Sequence, residues 1–233
     1  MKIKKFTSIA IITATLFTAT GCSSWTNLGK GAAIGGGGGG ALGAGIGALI
    51  GGGKGAAIGA AVGSAVGAGA GALIGRKMDQ QQRELAAQLA DQAKVEQTTD
   101  QNGLQAIKVT FDGGILFPTN GTTLSPNAKA DLNQFAMSLI QHPETDVQIY
   151  GFTDNTGTMQ VNSRVATGRA DAVLSYLVND GVSPTRLRAQ GVPMADYVAS
   201  NETAAGRAQN RRVEIYITAS PQMIQQAEAG TLK

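Results

Sequence analysis

Beyond residue 103 the apolar positions switch repeatedly between a two-residue and a 3.6-residue period, as expected where strands and amphipathic helices follow one another. Ile107, Val109 and Phe111 alternate with Lys108 and Thr110 and predict a strand, which Gly113 and Gly114 break. Ser125 and Pro126 supply a helix cap and the proline favoured in a first turn. Leu132, Phe135, Ala136, Leu139 and Ile140 then carry that helix to His142 and Pro143. Residues 147–150 predict a second strand running into the loop Gly151-Phe152-Thr153-Asp154-Asn155-Thr156-Gly157. A second helix begins near Asn162 and carries Val165, Arg169, Ala172, Val173, Tyr176 and Leu177 to a stop at Asp180 and Gly181. Residues 187–192 and 212–218 predict a third and a fourth strand, the last with Val213, Ile215 and Ile217 on one face. This alternation implies an α/β domain, an α+β sandwich with helices over one sheet, across residues 104–220. Residues 221–233 read as a short polar helix or tail.

The N-terminal half follows a different rule. Every fourth residue from Gly31 to Gly75 is glycine, and the stretch also repeats with a period of 24, each copy opened by a lysine, Lys30 or Lys54. Two copies of one unit across residues 29–77 point to a hairpin. On helices, residues four apart share a face, so each copy carries a glycine strip that admits close packing of a second backbone. Each copy rises about 30 Å, close to the hydrocarbon thickness of a bilayer. Ile34, Leu42, Ile46, Leu49, Ile50, Ile58, Val62, Val66, Leu73 and Ile74 favour membrane contact, and self-packing of such strips would make the chain a homo-oligomer. The other reading is a flexible Gly/Ala spacer, which the unbroken glycines at 35–40 favour locally. The two remain open. Residues 76–96 are polar and Gln-rich with Met78, Leu85, Leu89 and Val95 at helical spacing, which predicts an exposed helix with a narrow apolar strip. Residues 97–103 read as a linker, so that 78–103 form a polar helix and connector.

Residues 1–21 read as an export signal, with Lys2, Lys4 and Lys5 before an apolar run too short for a membrane span. The run ends in Ala19-Thr20-Gly21-Cys22, which resembles the bacterial lipobox, although Ala19 stands where leucine is usual. That resemblance implies a lipid anchor on Cys22, at the head of a lipidated segment 22–28, and stable membrane attachment through more than one acyl chain. By resemblance to sorting in double-membraned bacteria, Ser23 rather than Asp after the cysteine implies the outer membrane, with the protein on its periplasmic face.

Charge narrows the partners. Without Lys2, Lys4 and Lys5 the chain holds 16 basic and 16 acidic residues, so no general attraction to a polyanion is expected and nucleic acid is excluded as a partner. Cys22 is the single cysteine and His142 the single histidine. A nucleophile–histidine arrangement or a His/Cys metal cluster therefore lacks material, and neither catalysis, metal nor cofactor is expected. His142 reads as a solvated residue at a helix end. The stronger pair is Asp154, in a loop just after a strand, with Arg169 in the following helix. Brought to one rim, a carboxylate and a guanidinium recognise a ligand carrying both an ammonium and a carboxylate. The alternative is that the two simply pair with each other.

Several blocks carry a resemblance across residues 104–218: the Gly151 to Gly157 loop, Asn162 with Arg169-Ala170-Asp171, Gly181-Val182 with Arg186-Leu187, Ala199-Ser200-Asn201, and Gly206-Arg207-Ala208-Gln209-Asn210-Arg211-Arg212-Val213-Glu214-Ile215. Together they resemble the outer-membrane protein A-like (OmpA-like) peptidoglycan-associated domain, and the segment before them resembles the glycine zippers of outer-membrane lipoproteins. The resemblance implies a βαβαββ fold with a mixed sheet, and as ligand the diaminopimelate side chain of the peptidoglycan stem peptide. Asp154 would take the ligand's ammonium and Arg169 its carboxylate. Asn162, Thr156 and Arg211 would line or brace the pocket, with Arg212 serving the sheet edge. The chain departs from the family at Val165-Ala166, Gly191-Val192-Pro193 and Tyr197, which bears on affinity and partner choice more than on ligand class.

Overall fold

The computed structural model describes residues 66–100, 102–118 and 121–232. Cys22, the export signal and most of the predicted glycine hairpin lie outside the described residues.

The chain opens with α1 (Ala68–Gln88) and a hairpin of β1 (Ala93–Thr99) and β2 (Gln105–Asp112), followed by a single turn, α2 (Gly113–Leu116). Next come α3 (Pro126–Gln141), β3 (Thr145–Phe152), α4 (Met159–Asn179), a 3-10 turn at Pro184–Arg186 and β4 (Leu187–Val192). A short α5 (Ala204–Asn210), the strand β5 (Arg212–Ala219) and α6 (Pro221–Glu228) close it. The sheet has five strands in the order β1-β2-β5-β3-β4, mixed because β3 and β4 run parallel while the other neighbours are antiparallel. The α+β class read from the periodicity is the class observed.

Helix starts follow local chemistry. Ser125 accepts from the Ala128 amide ahead of Pro126, and Ser220 does the same for Met223 ahead of Pro221. Thr158 caps α4, which starts at Met159 rather than Asn162, and Gly181 ends it at a φ of 97° that side chains rarely tolerate.

On one face of the sheet, Ile107, Val109 and Phe111 of β2, Val213, Ile215 and Ile217 of β5 and Val147 and Ile149 of β3 meet Leu132, Phe135 and Leu139 of α3 and Val173 and Leu177 of α4. The other face carries a smaller cluster of Tyr150, Phe152 and Tyr216. Gly151 sits where β3 passes under α4, and a Cβ there would collide with the Ala166 carbonyl oxygen. That close approach fixes the end of β3, from which the loop of Asp154 departs.

The N-terminal part of the domain differs from the pattern-based expectation. The apolar strip of the helix at 68–88 is not exposed: Ile74, Met78, Leu85 and Leu89 are fully buried in the main core. Each contributes about 1.5–3 kcal/mol by leaving water. Leu73 and Ile74, expected to face lipid, pack into the domain instead. Residues 93–99, expected as helix end and linker, form the edge strand β1 paired with β2 from Ala93↔Phe111 to Thr99↔Gln105. Only Ala93 and Val95 are apolar, both half-buried against the core, and two positions are too few for a strand period to stand out. Asp79 of α1 accepts hydrogen bonds from Gln97 and Gln105, tying the helix to this hairpin. The residues read as a tail form α6, which buries Met223 and Ala227 and packs against α1.

His142 is the C-cap of α3, as placed, but it is only 8% exposed and not solvated. Its Nε2 lies 2.8 Å from Glu84 of α1, and Glu144 stands 3.9 Å from Nδ1. Arg186 donates to the carbonyls of Leu139, His142 and Thr145, closing the same corner. Among the described residues, no helix is long and apolar enough to cross a membrane.

Candidate functional site

The loop after β3 is built by short polar contacts. Asp154 accepts the Thr156 amide on Oδ1 at 2.8 Å, a turn in which the side chain stands in for a backbone carbonyl. Gly157, at φ 91°, reverses the chain into α4. Asn162, buried in the first turn of α4, reaches back and donates to the carbonyls of Thr156 at 2.8 Å and Thr158 at 3.1 Å. One face of α4 thus presents Asn162, Ala166 and Arg169 inward.

Asp154 is paired, and its partner is Arg211: Nη1 donates to Oδ2 at 2.6 Å, with Arg211 39% exposed and Asp154 8%. Burial alone would raise the carboxyl. The Arg211 guanidinium and the two Thr156 hydrogen bonds outweigh it and hold Asp154 below the usual carboxylate range.

Arg169 is 3% exposed. Its Nε donates to the Gly121 carbonyl at 3.0 Å, and its guanidinium lies 5.3 Å from the centre of the Phe117 ring. Burial, then the charge of Arg211, lowers its pKa, while Asp154 opposes them. The three groups therefore share one electrostatic neighbourhood, with two cations around one carboxylate. The direct pairing of Asp154 with Arg169, one of the two readings of these residues, is not the pairing found. Thr156 is exposed at the rim and Asn162 braces the loop from below.

Arg212 is not at a sheet edge. It lies on the central strand β5, 5% exposed, donating to Glu214 at 2.7 Å and to the carbonyls of Asn210 and Asp196, with its guanidinium 3.9 Å from the Phe152 ring centre. Glu214 also takes Lys108 and the Tyr216 hydroxyl. Burial pushes Glu214 up, and these partners bring it below its ordinary value. The alternation along β5 sends Arg212 to the face opposite Val213.

Sequence reasoning missed the platform under Arg169, formed by Phe117 and Gly121, because both lie far before it in the chain, Gly121 by 48 positions and Phe117 by more. It also gave no role to Asn201 and Asn210, although both stood inside recognised blocks. Among the described residues, no cluster of histidine, cysteine and carboxylate side chains is placed to hold a metal ion.

Residues 116–211 match the model of the OmpA family, and this span includes Asp154, Asn162, Arg169 and Arg211. The chain carries a domain of the OmpA family. Residues 1–83 match a second family, the YMGG-like Gly-zipper. The OmpA-family domain is 41% identical over 112 residues to the "Probable lipoprotein YiaD" of Escherichia coli K12, covering 48% of this chain and 51% of that one. It is 39% identical over 112 residues to the "Peptidoglycan-binding protein ArfA" of Mycobacterium tuberculosis H37Rv, covering 48% of this chain and 34% of the relative. The chain spans about half the length of these curated relatives, or less. Among solved structures, a MotB-like protein from Desulfovibrio vulgaris superposes with a TM-score of 0.55 at 25% identity, covering 64% of this chain and 94% of that one. The cell wall anchor of the T6SS from Pseudomonas aeruginosa gives 0.51 at 29% identity, covering 58% and 97%.

Proposed function

We propose that the OmpA-family domain binds peptidoglycan without covalent chemistry, through the diaminopimelate side chain of the stem peptide. The observation that carries this reading is the charge arrangement around Asp154. One carboxylate stands in the field of two guanidinium groups, so the site offers an anion for an ammonium beside cations for a carboxylate. A carboxylate offers about four acceptor directions, and the Thr156 amide and hydroxyl and Arg211 take three of them, leaving one for a ligand donor. An ammonium completes Asp154 while the ligand's carboxylate lies across Arg169 and the half-exposed Arg211. A free amino-acid head group carries both charges. The names of two relatives agree in kind: one is a peptidoglycan-binding protein, the other a cell wall anchor. The reading is of a binding site and not a catalytic one.

With lipid on Cys22, the chain is a periplasm-facing lipoprotein of the outer membrane that ties the bilayer to the wall. Many copies beside one continuous polymer gain by avidity, so each site can be weak. The test is sedimentation with purified sacculi. Asp154→Ala and Arg169→Ala each leave a ligand charge uncompensated, at a cost of roughly 2–5 kcal/mol, or at least about tenfold in affinity. Both variants should stay in the supernatant with unchanged circular dichroism, and sacculi lacking diaminopimelate should fail to retain the wild type. Retention of either variant at the wild-type level rejects the reading.

The Gly-zipper match over residues 1–83 supports a second reading, in which a bilayer-inserted, self-associating segment is the active part and wall binding positions it. Crosslinking of the full chain in membranes separates the two: defined oligomers that survive Asp154→Ala favour the second, monomers the first.

A further inference from the structure

The segment 193–203 has no regular structure, leaves Tyr197 and Val198 exposed and holds Met194 and Asp196 at positive φ, 51° and 50°, where L-residues are strained. It adds little apolar core, yet it is tied down along its length. Met194 N–H donates to Thr153 Oγ1 at 3.0 Å, and Arg212 donates to the Asp196 carbonyl at 2.9 Å. The fully buried Asn210 does most of the rest. Its Oδ1 accepts the amides of Val198 and Ala199, and its Nδ2 donates to the Ala199 carbonyl and to Asn201 Oδ1, all at 2.9–3.0 Å. Arg207 donates to the Asn201 carbonyl at 2.8 Å. A Cβ at Gly206 would collide with the Ser200 carbonyl oxygen, so α5 sits hard against the segment.

These ties converge behind Asp154. Asn201 Oδ1, already held by Asn210, also accepts the Asn155 amide, at 3.4 Å the longest of these ties. Asn155 is the residue after Asp154, and Arg211, the residue after Asn210, pairs with Asp154 itself.

We infer that Asn201 is a positioning residue for ligand binding: its side-chain oxygen, oriented by Asn210, holds the Asn155 backbone and so sets the aim of the Asp154 carboxylate. The inference rests on the ligand reading given above, and it adds a mechanism the motif pattern does not carry. Asn201 acts through an acceptor only. Both of its side-chain bonds use Oδ1, so an isosteric carboxylate preserves them, whereas a methyl group removes both.

The test uses the full chain, a diaminopimelate-containing muropeptide, and two variants. Asn201→Ala should weaken binding about three- to tenfold, the range of one lost hydrogen bond, and move the amide resonances of Asn155 and Thr156 without ligand. Asn201→Asp should bind as wild type and restore those resonances, a rescue that a purely structural loss would not show. Unmoved Asn155 and Thr156 resonances in Asn201→Ala, or Asn201→Asp binding as weakly as Asn201→Ala, overturns the inference. A wild-type chain that ignores the muropeptide while Asn201→Ala still moves those resonances sinks the ligand reading and keeps the loop contact.

Discussion

Arg211 Nη1 lies 2.6 Å from Asp154 Oδ2, and the two residues are joined although 57 positions separate them in the chain. Arg169, one helix away, meets the same carboxylate only through its field, because its Nε is engaged by Gly121. The site is thus a three-charge cluster in which one cation is buried and fixed and the other half-exposed.

Removing the exposed cation should change how Asp154 titrates. Burial raises this carboxyl and Arg211 is the foremost group opposing it. In Arg211→Ala the pKa should rise. A depressed carboxylate stays ionised as pH falls, so wild-type wall binding should persist into acid below the usual carboxylate range, while the variant's binding fades at higher pH. Carbon-detected NMR titration of Asp154, with sedimentation across the same pH range, checks both.

Arg169→Lys keeps the charge and should still fail. An ammonium has no fork with which to hold Gly121 while meeting a ligand carboxylate, and it stacks poorly on Phe117. Loss of the buried bond should cost about 1–2 kcal/mol of stability by urea unfolding, with binding to sacculi down at least tenfold. Wild-type retention by this variant shows that charge alone suffices.

Leu85→Ala tests whether α1 is integral to the fold. The side chain is fully buried, so the substitution should cost about 2–5 kcal/mol in urea unfolding. An exposed connector would lose almost nothing.

The contact of Glu84 with His142 predicts a pH signature of stability. The hydrogen bond to His142, followed by that to Gln80, holds Glu84 below its ordinary value. A depressed carboxyl stabilises the fold above the usual carboxylate range and loses that effect as pH falls through its folded-state value. The difference in melting temperature between wild type and Glu84→Gln should therefore be present at neutral pH and vanish in strong acid. A difference that does not change with pH removes these carboxylate hydrogen bonds from the explanation.

The sequence was readable where one face of an element is apolar and the other polar. The strands β2 and β5 and the helices α3 and α4 show that contrast, and they came out within a few residues. α1 was misjudged because the polar Gln81 stands within its buried strip, and because the glycine period continues into its first turns and masks the start. β1 offered little contrast, since its apolar positions end at Val95 and a mostly polar edge strand is recognised only from its neighbour. Local chemistry around Asp154, Thr156 and Asn162 is contained within nine residues and was legible. The partners of Asp154 and Arg169 were not, because Arg211 and Phe117 reach them through sheet topology that no local pattern encodes.

The burial of Ile74, Met78, Leu85 and Leu89 has a mechanical meaning. Whatever precedes residue 66 connects to the Asp154 loop through packed side chains, with no slack tether in between. A displacement applied at residue 66 is therefore passed into the domain across the α1 interface.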